Sequence, residues 1–140
     1  MKFKLLYLVI LVLISGATYT SAENTNLFGR PKSVTFKGEN ENWYVVHHMY
    51  LVGTEIEYDT KIRYKGNNEK IKNLPYLHYI ITDKVGNPGL GGTFSLKESN
   101  VFQSGRTECS GCTYLDKNKE VTFIFGKWEE YEEIVILKRE

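Results

Sequence analysis

Cys109 and Cys112, separated by Ser110-Gly111, are the side chains of this 140-residue chain whose type and spacing speak most directly of chemistry. A C-x-x-C pair can close a tight turn as a disulfide, cycle as a redox-active dithiol, or supply half of a zinc site. Gly111 suits a turn centre because it accepts positive φ. The ends of a β-turn lie within about 7 Å, close to the roughly 4.4–6.8 Å that a disulfide spans. Closing so short a loop is worth only about 2 kcal/mol, so the bond would be a local staple. A reactive thiol is favoured at a helix N-terminus beside a βαβ pattern, whereas Thr113-Tyr114-Leu115-Asp116 leads toward a strand pattern. A closed zinc site needs four ligands, and there is no second cysteine pair. His47 and His48 are adjacent on an expected strand and so point to opposite faces, and His78 belongs to another strand.

Aromatic side chains are the second candidate group, with ten Tyr, seven Phe and two Trp. Tyr and Trp join a broad apolar face to a polar tip, which suits stacking on sugars or anchoring peptides. Trp43, Tyr44, Tyr50, Tyr76, Tyr79, Tyr114, Trp128 and Tyr131 qualify by type. Half-buried strands favour aromatics anyway, and Trp43, Val45, His47, Met49 and Leu51 fall on one face that reads as core. Trp128, in the polar stretch GKWEEYEE, is the strongest candidate for ligand contact, with Tyr131 and Tyr114 behind it.

The chain contains no G-x-S-x-G, H-E-x-x-H, P-loop or S-x-x-K pattern. Its three histidines offer little material for general acid–base work. No catalytic residue, metal site or cofactor is expected. Gly86 to Gly92 is glycine-rich but lacks the lysine and the strand-to-helix setting of a phosphate loop, and reads as a turn or mobile loop. Glu55, Glu57 and Asp59 share an expected wet face with Lys61 and Arg63, so mutual screening accounts for them more simply than a bound cation.

The elements that must position these residues follow an export signal. Lys2 and Lys4 precede an unbroken apolar run from Leu5 to Ile14, and Thr20-Ser21-Ala22 supplies small residues for cleavage. The apolar run falls short of the roughly 17–20 residues of a spanning helix. We therefore expect residues 1–22 to be a cleaved signal peptide, with a retained membrane anchor as the competing reading and no stable membrane insertion after cleavage. Residues 23–32 read as a flexible lead-in, and residues 33–140 as one domain. The net charge is +1, and loss of two lysines with the signal makes it −1. Without a basic block there is no electrostatic case for nucleic acid. Export favours an oxidised cysteine pair.

Period-two alternation dominates the remainder. Ile56, Tyr58, Thr60, Ile62 and Tyr64 fall on one face and Glu55, Glu57, Asp59, Lys61 and Arg63 on the other, the pattern of a half-buried strand. Further strands are expected at 33–37, 43–52, 76–82, 92–97, 106–115, 120–125 and 133–138, separated by Gly, Asn and Pro turn signals. Residues 129–133 (EEYEE) suit one helical turn or a charged hairpin. No amphipathic helix stands out. Seven or eight short strands imply an all-β antiparallel sandwich.

Glu41-Asn42-Trp43, Ile62-Arg63-Tyr64-Lys65-Gly66, Gly91-Gly92 before Leu96, and Ser104-Gly105 leading to the CSGC motif together resemble small exported proteins and lipoproteins of Gram-positive bacilli. The resemblance spans roughly residues 33–138. It implies an immunoglobulin-like fold and a secreted or cell-envelope location, and brings no activity with it. The lipoproteins' lipidation cysteine is absent here, since Cys109 and Cys112 are the only cysteines. The expected role is non-enzymatic recognition of an envelope protein or a cell-wall glycan; the rival is a thiol–disulfide redox or sensor protein using Cys109 and Cys112.

Overall fold

The computed structural model describes residues 32–97, 99–127 and 131–140. The expected signal peptide, most of the lead-in and Trp128 lie outside the described residues. Among the described residues nine strands follow in chain order: β1 (Lys32–Glu39), β2 (Trp43–Val52), β3 (Glu55–Tyr64), β4 (Leu77–Thr82), β5 (Pro88–Phe94), β6 (Val101–Gln103), β7 (Thr107–Cys109), β8 (Glu120–Lys127) and β9 (Tyr131–Arg139). A short helix, α1 (Glu69–Lys72), lies between β3 and β4.

All pairings are antiparallel. One hydrogen-bonded path runs β5-β4-β8-β9-β1-β2-β3-β6, and β7 also pairs with β3. The all-β antiparallel expectation is therefore met, while a two-sheet immunoglobulin-like sandwich is not shown. Instead a single sheet curls until its ends approach. Trp43 of β2 lies 4.2 Å, ring centroid to centroid, from Phe125 of β8 and 6.1 Å from Phe94 of β5. Phe94 meets Phe102 of β6 at 5.4 Å, bringing together the two ends of the path.

The alternation in each strand explains the curl. Val34 and Phe36, then Trp43, Val45 and Met49, then Ile62 and Tyr64, then Leu77, Tyr79 and Ile81, then Val121, Phe123 and Phe125, then Val135 and Leu137 all turn inward and are buried. A sheet with one apolar face must cover it, and a twisted sheet of this many strands does so by closing on itself. Gly38 marks a point of close approach, since a Cβ there would sit 2.2 Å from the Ile136 carbonyl oxygen. Any side chain at that position would push β1 from β9.

Several boundaries differ from expectation. The glycine-rich stretch is not a loop throughout, because residues from Pro88 onward form β5 beside β4. Only Asp83–Asn87 turns, with the Asp83 carboxylate accepting from the Val85 and Asn87 backbone N–H groups at 2.9 Å each. The strand expected across 106–115 shrinks to β7, and β6 and α1 are additions. In α1, Asn68 caps the helix by accepting from the Lys70 N–H, and Ile71 is buried. Lys127 of β8 stands opposite Tyr131 of β9, and the helical-turn-or-hairpin expectation for residues 129–133 falls largely outside the described residues.

Candidate functional site

A polar rim forms at the end of the sheet where the β1–β2 turn meets the start of β9. Asn40 builds the turn: its side-chain oxygen accepts from the backbone N–H of Asn42 (3.0 Å) and of Trp43 (2.8 Å). This is how asparagine stabilises a tight connection. Its amide nitrogen is left free to donate to Glu133 at 3.0 Å. The Asn42 amide donates to the other carboxylate oxygen at 3.0 Å. Tyr131 donates its hydroxyl to that same oxygen and accepts from the buried Trp43 indole N–H at 2.9 Å. Two amides and a phenol thus hold the Glu133 carboxylate, and all three are neutral.

Burial raises the Tyr131 phenol well above its usual range, and its hydrogen bond to Glu133 raises it further. The hydroxyl therefore stays protonated and remains a donor. Asn40, Asn42, Tyr131 and Glu133 are all half-buried, so the rim keeps one side open to solvent. The network ties two distant stretches of chain and fixes each polar group in one orientation.

Tyr131 is thus the sequence candidate that the structure places in a built site. Tyr114 lies elsewhere. It is half-buried and packs on the core near the opposite end, and burial raises its hydroxyl. Cys109 pairs with Ile56 at the far end of β3, whereas Trp43, which bonds Tyr131, pairs with Tyr64 at the near end. The two ends are separated by about 25 Å of strand. The cysteines, Tyr114 and Tyr131 therefore do not form one site.

Cys109 and Cys112 are a close pair with Cα atoms 5.7 Å apart, compatible with a disulfide. Gly111 takes φ +82°, a value that L side chains adopt rarely and that this turn requires. Cys109 ends a strand, and residues 110–119 contain no helix, so no helix dipole is available to activate the thiol.

Other candidates are already engaged. The Arg63 guanidinium lies 5.0 Å over the Tyr44 ring and that of Arg106 lies 4.3 Å over Tyr50. Glu57 pairs with Arg106, and Asp59 accepts from Gln103 at 3.2 Å. Among the described residues no three His, Cys, Asp or Glu side chains cluster closely enough to hold a metal ion.

His47 is buried in the interior, as its face predicted. Its Nδ1 lies 2.8 Å from the Thr60 hydroxyl, and its Nε2 has no hydrogen-bond partner. Desolvation, assisted by the neighbouring His48, lowers its pKa to about 3. Neutral and enclosed, it contributes packing to the interior and is out of reach of a solvent-borne substrate.

The rim was missed in the sequence because Asn40, Asn42 and Glu133 lie in segments read separately, as a turn and as a charged stretch. Asn42-Trp43 opening a strand was the available signal. No helix among the described residues is long and apolar enough to cross a membrane. No family model, curated protein or solved structure matches the chain.

Proposed function

We propose that this protein is an exported, barrel-like recognition module that binds a polyhydroxylated cell-wall glycan at the rim formed by Asn40, Asn42, Tyr131 and Glu133. The observation that carries the reading is the carboxylate held, among the described residues, by three neutral donors. Asn40 is fully engaged, its amide also donating to the Ile134 carbonyl at 3.3 Å, so the groups left to a ligand are the Asn42 amide and the remaining lone pairs of Glu133, a donor and acceptors of the kind neutral sugar hydroxyls require. The groups are already ordered, so a ligand loses little freedom on their behalf.

Export, the envelope location and the absence of catalysis belong to the same proposal. The signal pattern of residues 1–22 supports the first two. The third rests on the aromatic packing of the interior and on a His47 that burial keeps neutral. Aromatic contacts across the interior favour barrel-like closure over an immunoglobulin-like pair of sheets. The cysteine pair is proposed as a structural disulfide, because its strand-end position offers no activation.

Co-sedimentation of purified protein with insoluble cell-wall glycan tests the reading. Wild type is expected in the pellet. Asn42→Ala and Glu133→Gln are expected to weaken binding about tenfold or more while thermal melting confirms that each is folded. Wild type that stays in the supernatant, or folded variants that pellet equally well, would overturn it.

A further inference from the structure

The outer face of β4, β8 and β9 carries a cluster of isoleucines, beside Thr122 and between charged ends, where a solvated sheet face is ordinarily polar. Ile80 of β4 is in register with Ile124 of β8, which is in register with Ile134 of β9. Ile80, Ile134 and Ile136 are 46%, 50% and 47% exposed. Alternation puts Glu132, Ile134, Ile136 and Lys138 on one outward row of β9, and all four are exposed. An acid therefore closes one end of the apolar row and a base the other.

We propose that this face docks onto the same face of a second copy of the chain. Charge complementarity selects that occupant. A twofold axis through the middle of the row, with the two β9 strands antiparallel, lays Ile134 over Ile136 of the second copy. It also lays Glu132 over Lys138 of that copy, and the reciprocal pair forms by symmetry. Lys138 stands opposite Glu120 across the β8–β9 pair, and that carboxyl is held below its usual range first by the Lys84 contact and then by Lys138. The acids nearest Lys138 are engaged, Glu140 by Lys37 at 3.2 Å and Glu120 by Lys84 at 2.8 Å. Among the described residues neither Glu132 nor Lys138 has an ion-pair partner. Face-to-face sheet packing tolerates the small interaxial angle this needs. The apolar row falls short of the roughly 800 Å² per partner of a standard stable interface. The dimer is accordingly weak and reversible, forming at tens to hundreds of micromolar.

The docking face is the outer one and the rim is at a sheet end, so the dimer presents two rims. On a repeating polymer, two sites joined in this way bind with an avidity that neither has alone.

Sedimentation equilibrium of the purified protein across that concentration range provides the test, with melting curves to show that every variant is folded. Wild type is expected to shift toward dimer as concentration rises. Glu132→Lys and Lys138→Glu, each alone, place like charges together and should weaken association about tenfold. The double variant Glu132→Lys/Lys138→Glu restores complementarity and should recover it, and Ile134→Ser should abolish it. A wild type that stays monomeric to about 1 mM overturns the proposal, as does a double variant no better than either single one. Because binding to glycan is read separately by co-sedimentation, failure here leaves the rim proposal standing, and the reverse also holds.

Discussion

Acidification from pH 7 to pH 4.5 should cost this protein about 2.5 kcal/mol through His47 alone. In the unfolded chain a histidine takes up a proton near pH 6.5. In the folded protein His47 resists until about pH 3, chiefly because it is fully buried and secondarily because His48 is adjacent. Between those values the unfolded state binds the extra proton, so stability falls as pH falls. The loss begins near pH 6.5, grows by about 1.4 kcal/mol per pH unit, and levels off near pH 3 at roughly 5 kcal/mol. Carboxylates with lowered pKa, such as Glu39, Asp83 and Glu120, also lose stabilisation in acid. A difference between two proteins isolates the histidine. His47→Leu keeps a comparable volume and removes the titration. Urea unfolding followed by intrinsic fluorescence, at pH 7 and pH 4.5, gives the stability change for each protein. Wild type is expected to lose about 2.5 kcal/mol more than the variant over that interval. A difference under about 0.5 kcal/mol, or one of opposite sign, would refute the claim that His47 is held neutral by burial.

Tyr131→Phe leaves the buried Trp43 indole N–H unpaired and removes one of the donors to Glu133, so urea denaturation should show a loss of about 1–3 kcal/mol. Gly38→Ala forces a methyl group against the Ile136 carbonyl, and the melting temperature should fall by the equivalent of about 3 kcal/mol, with an unchanged melt contradicting the close approach of β1 and β9. Reduction of the Cys109–Cys112 pair should lower stability by only about 2 kcal/mol without unfolding the domain. Its reduction potential should lie below about −300 mV, as for an inert structural bond, and a markedly higher value would revive the redox reading.

How much of this was legible in the sequence depended on how local the signal was. The inward face of β3 and that of β2 could be read residue by residue, because alternation with β-branched and aromatic side chains is local and strong. β5 was misplaced because glycines carry no alternation. Gly92 serves this edge by its smallness, since a Cβ there would meet the Tyr79 ring at 2.9 Å. α1 has four residues, fewer than a helical period needs to declare itself, although Asn68 was in place as its cap. The curl of one sheet into a nearly closed form depends on which strands become neighbours. Whether β8 returns beside β4 or pairs elsewhere is decided by long-range contacts such as Trp43 on Phe125, not by any window of sequence. The rim is hidden for the same reason. The polar residues of the β1–β2 turn and of β9 look like ordinary turn and surface residues until some ninety positions of chain fold back between them.

The ligand contact proposed for this protein is the rim of Asn40, Asn42, Tyr131 and Glu133. Backbone amide shifts in an NMR titration with soluble cell-wall glycan fragments test it most directly. Saturable shifts are expected to concentrate at residues 40–43 and 131–133, with the Cys109–Cys112 end unmoved. Saturable shifts centred on that other end, or none at millimolar glycan, would contradict it.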